Sequence, residues 1–344
     1  MSLLTRISIT TLALVTLSCE SDKPKQKELG RFNPGSSIWV LNEGGFQVGN
    51  ASIGQISTAD SNYQAEYFKQ VNQRPLGDVL QSATEFNEAV YLVVNNSQKI
   101  EVVNPQNMQS IKTIGGFQSP RYFLGVNDSI AYVSDLYADA ISVVNLNTGT
   151  TLKQIKTSGW TEQLLAHNGF AYIAQPESDY LLQIDLNTHT VADSFALSYG
   201  VSEIVMDQNK EIWALCIGDA AKNIKAGLHR FNPATGMVEL SLELDANYLL
   251  KGLQTSPEKD RIYFLSGDVQ SLHISETSLP SLPFYQANGA VFYGLGVHPA
   301  TGDIWLTNAK DFVQQGSVMQ LSKTADLQHE TSAGVIPNGF YFVP

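Results

Sequence analysis

The chain has 344 residues, of which 43% are hydrophobic and only 16% charged, and its formal net charge is -12. That length holds two ordinary domains or one large all-β domain, with ample material for a core. The acidic balance, with no basic stripe and no RNA-binding motif, argues against a nucleic-acid partner, since binding to phosphates draws on clustered Lys and Arg.

Residues 1–18 read as a secretory signal. Arg6 supplies a positive start, Ile7 to Leu17 form an apolar stretch too short for a stable bilayer anchor, and small Ser18 precedes Cys19. The segment is similar to a bacterial lipoprotein signal, which implies that Cys19 is lipidated and becomes the mature N-terminus. Thr16 stands where Leu is commonest in that pattern, so ordinary signal cleavage is the alternative. Residues 19–36, polar and rich in Pro, Gly and Lys, read as a flexible tether, and the folded domain is expected over 37–344. The only other cysteine, Cys216, lies in the apolar run "IWALCIG" and reads as a buried small hydrophobe.

From Trp39 onward the sequence repeats. Aromatics follow apolar or small residues in "IWVLN", "VYLVV", "AYVSD", "AYIAQ", "IWALC", "IYFLS" and "IWLTN", at Trp39, Tyr91, Tyr132, Tyr172, Trp213, Tyr263 and Trp305. The spacings are 52, 41, 40, 41, 50 and 42. A period of about 40 in an all-β sequence implies propeller blades of four strands each. After each aromatic strand comes a second strand such as "KIEVVNP" or "AISVVNLN". A short Asn-, Thr-, Gly- or Pro-containing turn follows, then a third strand such as "TLKQIKT". A fourth strand ("PRYFLGV", "TEQLLAH", "SEIVMDQ") leads back to the next aromatic. "DVLQSATEFNEAV" has the composition of a helix, but its place in the repeat makes it a strand. The final "IPNGFYFV" matches the fourth type of strand with nothing after it, while the first unit has none before it. The expected fold is therefore all-β: a seven-bladed propeller of four-stranded antiparallel blades, with the C-terminal strand joining the first blade and removing free edges.

The units "IAYVSD…ISVVNLNTGTTLKQIKT" and "FAYIAQ…LLQIDLNTHTV" resemble the YncE/YVTN-type seven-bladed β-propellers. More narrowly, "WVLNEGGFQVGNASIGQI", "EYFKQVNQRPLGD" and "VYLVVNNSQKIEVVN" resemble the DUF5074 group of surface lipoproteins, which includes BtuG-type cobalamin-binding propellers. The resemblance covers nearly all of the mature chain. It implies a substrate-capture lipoprotein on the outer-membrane surface, monomeric apart from its partner. That protein would bind cobalamin or a related corrinoid and hand it to a TonB-dependent transporter, with no cofactor of its own.

Alternating strands sort the connections onto two ends of the ring. One end has short links such as "NTG", "NTH" and "HNG". The other has long ones, including "NEGGFQVGN", "IGDAAKNIKAG", "QVNQRPLGD" and "LDANYLLKG", and holds most of the loop aromatics. Long loops on a rigid scaffold are where binding sites are built. A corrinoid offers a broad apolar ring edged by amides, so its capture needs flat aromatic surface and hydrogen-bonding partners. The candidates for surface are Phe46, Tyr137, Trp160, Tyr180, Tyr199, Tyr248 and Phe312. Those for polar contact are Glu43, Asn50, Arg74, Asn95, Arg121, Gln163 and Lys251. The same composition describes a glycan site, so a glycan- or protein-binding propeller of another uptake complex is the alternative. The repeated strand aromatics, Trp39 to Trp305, are expected to pack between blades.

Enzyme motifs are absent: the sequence has no G-x-S-x-G, H-E-x-x-H or P-loop. His229 and His273 hold similar strand positions but lack a third ligand, so no metal site is expected. Asp135, Asp139, Asp179 and Asp219 fall in comparable loops and are expected to form a solvated acidic rim. A propeller hydrolase or lyase would instead need a cluster of His, Glu or Asp at the channel mouth, which the sequence alone does not assemble.

Overall fold

The strands are arranged as seven antiparallel sheets around one axis, and second strands such as "IWVL" and "VYLVV" are buried on both faces. The structure is a computed structural model and describes residues 37–57 and 62–344. The signal, the tether and Cys19 lie outside the described residues. Six sheets have four strands and one has three. In blade order the innermost strands are Pro337–Phe342, Leu80–Phe86, Pro120–Asn127, Leu164–His167, Val201–Met206, Leu250–Thr255 and Phe292–Val297.

The first blade is closed by the C-terminal strand, in which Trp39 pairs with Tyr341 and Val40 with Phe340. The ring aromatics sit on the second strand of each blade and are buried. Each one packs toward the following blade. Trp39 belongs to a core shared by blades 1 and 2 with Leu80, Val90 and Tyr341. Trp213 packs with Leu250, Phe264 and Leu272 of blade 6, and Trp305 with Ile38 and Val40 of blade 1. The core is thus seven apolar seams between blades rather than one central mass. Each fully buried aromatic contributes about 3 kcal/mol of transfer free energy to its seam.

"DVLQSATEFNEAV" is a strand hairpin, as its place in the repeat requires: Leu80–Phe86 turns back into Ala89–Val94. Two departures from the regular repeat have local causes. The spacing of 52 between Trp39 and Tyr91 makes room for a six-residue helix, Tyr67–Asn72, whose Tyr67 and Phe68 plug the seam between blades 1 and 2. Blade 6 lacks a fourth strand, because "SLPSLP" places Pro280 and Pro283 where ladder N–H groups would be needed. There the chain is held to the sheet by a bridge from Val269 to Tyr285, by the Phe284 N–H donating to the Val269 carbonyl, and by the Phe284 ring edge-on to Tyr263. Among the described residues no helix is long and apolar enough to cross a membrane.

A polar funnel at the long-loop end of the ring

Each inner strand slips register within its first few residues. Gln81 is extra between the pairs Leu80–Val94 and Ser82–Val93. Ser202 is extra between Val201–Cys216 and Glu203–Leu215, and Tyr293 between Phe292–Asn308 and Gly294–Thr307. Asn338 is extra between Pro337–Asn42 and Gly339–Leu41. In blade 3 the slip falls between Pro120 and Phe123, and in blade 6 between Lys251 and Gln254. In blade 4 one residue faces two: Ala174 accepts from the Glu162 N–H and donates to the Gln163 carbonyl. A bulge bends its strand and re-aims the side chain beside it. Repeated around the ring, it turns Gln81, Arg121, Glu162, Ser202, Lys251 and Tyr293 into a common funnel of about 450 Å³. The long loops complete the wall with Glu43, Trp160, Pro176, Ile217, Tyr248 and Leu249.

The charges in the funnel are largely spoken for. Arg121 donates from Nε to Glu162 Oε2 at 2.7 Å and makes a second, parallel bond from Nη2 to Oε1; its guanidinium stacks 5.5 Å from the Trp160 ring. Burial acts against the Arg121 charge, but Glu162 outweighs it and holds the guanidinium pKa above its usual value. Glu203 accepts the backbone N–H groups of Gly252 at 3.0 Å and Leu253 at 2.5 Å, bracing blade 5 on blade 6. Burial nonetheless keeps its pKa raised. Glu43 Oε1 accepts from Asn338 Nδ2 at 3.0 Å, and its Oε2 lies 3.5 Å from the Tyr293 hydroxyl. Lys251 Nζ sits 3.4 Å from the Tyr293 ring centre and 4.0 Å from Glu43 Oε1. Burial lowers its pKa even with Glu43 and Glu203 acting the other way. Burial also raises the phenol pKa of Tyr122, with Glu162 and Glu203 adding to it, and that of Tyr293, with Glu43 adding.

Five of the sequence candidates therefore meet here: Glu43, Arg121, Trp160, Tyr248 and Lys251. Phe312 lies just behind, its ring edge-on to Tyr293 at 5.1 Å. Phe46 and Tyr137 are exposed loop residues at 65% and 68%, outside the funnel lining. Tyr180 is exposed at the start of its strand, and Tyr199 lies under the Lys222 ammonium. The remaining polar candidates are placed as struts. Arg74 pairs with buried Glu101 in blade 2. Asn95 donates to Ser119 Oγ and the Pro120 carbonyl, linking blades 2 and 3. Gln163 accepts the Ile204 N–H, linking blades 4 and 5. Asn50 closes its own loop by accepting from Gly45 N–H at 2.8 Å.

The solvated acidic rim expected from the four loop aspartates does not form. Asp135 is buried and accepts from the backbone N–H groups of Gln118, Ser119, Tyr137 and Ala138, so it is a loop anchor. Asp219 caps a short 3-10 turn and pairs with Lys222, while Asp139 and Asp179 stay exposed in separate loops. His229 and His273 bond to Ser241 and Ser275 respectively. Among the described residues no group of three His, Cys, Asp or Glu is placed to hold a metal ion. The sequence reading missed Gln81, Tyr122, Glu162, Ser202, Glu203 and Tyr293, all in the inner-strand segments.

Fold and funnel define the class: a seven-bladed β-propeller with a polar, aromatic-walled cavity on its axis at one end. The family profile described as a domain of unknown function, DUF5074, matches residues 36–342, and the chain belongs to that family. No curated protein matches. Among solved structures, a quinonprotein alcohol dehydrogenase-like protein from Bacteroides thetaiotaomicron VPI-5482 is 14% identical with a TM-score of 0.73, over 90% of this chain and 79% of that one. The hydrazine synthase of Kuenenia stuttgartiensis is 12% identical with a TM-score of 0.58, over 73% and 85%. The WD40 β-propeller domain of Doa1 is 12% identical with a TM-score of 0.60, over 81% and 88%. At these identities the likeness is one of fold.

Proposed function

We propose that this protein captures a small molecule in the axial funnel, and that the molecule is cobalamin or a related corrinoid. It would be held at the outer-membrane surface through lipidated Cys19 and pass its cargo to a TonB-dependent transporter. The observation that carries the reading is the funnel itself. Aromatic faces (Trp160, Tyr248, Tyr293) alternate there with hydrogen-bonding side chains from all seven blades, on the end that bears the long loops. A cavity of about 450 Å³ is of ligand size and takes one flank of a macrocycle. Exposed Phe46, Tyr137 and Phe312 supply apolar surface for the remainder.

The test uses protein lacking residues 1–19, mixed with cyanocobalamin and desalted. A corrinoid visible spectrum co-eluting with protein, lost on Trp160→Ala/Tyr248→Ala, supports the reading. A colourless protein fraction at micromolar concentrations overturns it and leaves a glycan or protein ligand.

One observation favours a second reading. Glu43, Glu162 and Glu203 do gather at the channel mouth beside Tyr122 and Lys251, which is the cluster a propeller hydrolase or lyase would need. That reading requires turnover that disappears in Glu203→Gln or Tyr122→Phe.

A further inference from the structure

Lysines on the outside of this protein have partners. Lys69 pairs with Glu66, Lys222 with Asp219 and Lys225 with Glu243, each within 3.0 Å. Lys153 and Lys310 donate to the backbone carbonyls of His189 and Gln315. Lys251 is placed differently. Its amine lies between two residues of the funnel lining, 3.4 Å from the Tyr293 ring centre and 4.0 Å from Glu43 Oε1. It makes no hydrogen bond, yet it is open to the funnel. The side chain is 21% exposed, and Nζ is not one of the sealed, unpartnered atoms of the domain.

The three carboxylates around it are engaged elsewhere. Glu43 accepts from Asn338 and faces the Tyr293 hydroxyl, and Glu162 holds Arg121 by two parallel bonds. Glu203 accepts the N–H groups of Gly252 and Leu253, which also fixes the backbone just after Lys251. No acceptor therefore reaches Nζ to hold a proton on it. Burial favours the neutral amine and Arg121 acts with it; Glu43, Glu203 and Glu162 act the other way, and the net direction of the Lys251 pKa is down.

An uncharged amine has a free lone pair, and desolvation in a ligand-sized cavity is one way a protein makes a lysine nucleophilic. The electrophile must be one that an amine attacks without further machinery. An ester or phosphate would need free donors for its developing oxyanion, and Arg121, the other cation of the lining, is already bonded to Glu162. An aldehyde needs only to lose water.

We propose that Lys251 is a covalent capture site for small aldehydes that enter the funnel. Nζ attacks the carbonyl carbon and the C=O π pair moves to the oxygen. The two amine protons then leave with that oxygen as water, and an imine joins Nζ to the former carbonyl carbon. The step is reversible and consumes no oxidant or reductant. It depends on the placement of Lys251 and not on the corrinoid reading, since cyanocobalamin carries no aldehyde.

The test is a competition among the lysines of one protein sample. Limiting benzaldehyde and sodium cyanoborohydride, which reduces the imine to a stable benzylamine, are added at pH 7 to protein lacking residues 1–19. Benzylation of each lysine is timed by peptide mass spectrometry, with exposed Lys69 as the internal standard. At pH 7 an ordinary lysine is neutral in only about one molecule in 2,500. Lys251 is expected to react at least about tenfold faster than Lys69, and its lead should vanish in urea. Labelling of Lys251 no faster than Lys69 in the folded protein overturns the proposal. So does a lead that persists in urea, which would assign it to local sequence and not to the funnel. Both comparisons are made within the parent protein, so neither depends on a variant that folds.

Discussion

Tyr341 is the residue on which ring closure can be measured. It lies in the C-terminal strand, 8% exposed, paired across the ladder with Trp39 and with the two ring centres 4.9 Å apart. Its hydroxyl donates to Glu85 of blade 2 at 2.7 Å, so one side chain ties the last strand to the first two blades. Tyr341→Ala removes a buried ring and its aromatic pairing, a loss of about 4 kcal/mol. Tyr341→Phe removes only the hydrogen bond to an exposed carboxylate, about 1 kcal/mol. In a domain of this size each kcal/mol shifts Tm by roughly 2 °C, so the expected drops are about 8 °C and about 2 °C. Thermal unfolding followed by circular dichroism reads both. If Tyr341→Ala lowers Tm no more than Tyr341→Phe does, the C-terminal strand does not close the ring in solution.

Two further outcomes follow from buried ionisable groups. Cys216 is fully buried and burial pushes its thiol up to about 12, so an aromatic disulfide reagent at mildly alkaline pH should label no thiol in the native domain and one in urea. Labelling of the native domain would mean that the seam between blades 4 and 5 opens. Glu211 carries a carboxyl pushed up to about 7, first by burial and then by the neighbouring Glu239. Its proton is held more tightly in the folded state than in the unfolded one. The stabilisation is therefore complete below the ordinary value of 4.5 and lost as pH rises through about 7. Tm should fall over that window in the parent and fall less in Glu211→Gln; parallel curves would refute the assignment.

Blade number, strand order and closure were legible because the buried aromatic and the apolar alternation recur at nearly constant spacing, and because a propeller has only one way to bury them. Trp39, Tyr91 and Tyr132 announce the seams directly. The funnel was less legible, because a one-residue register slip leaves no mark in an apolar pattern: "LQS", "PRY", "TEQ" and "VSE" read as ordinary strand starts. A usable signal was present in their alignment. Leu80-Gln81, Pro120-Arg121, Thr161-Glu162, Val201-Ser202, Leu250-Lys251 and Pro337-Asn338 each put a polar residue directly after a buried one, at the same place in the blade. Loop composition pointed instead to Arg74, Asn95 and Gln163, whose polar groups hold blades together. A lone Asn or Arg looks the same in sequence whether it meets a ligand or a neighbouring carbonyl.

The bulges separate two burdens that a sheet ordinarily places on the same residue. Inside a ladder, a side chain is constrained by its cross-strand neighbours, and a change of character there disturbs the pairing. Gln81, Ser202 and Tyr293 stand outside the pairing, so natural variation can rewrite them while the backbone around them stays the same. The lining of the funnel can therefore be changed one blade at a time while the ladder that holds each blade is kept.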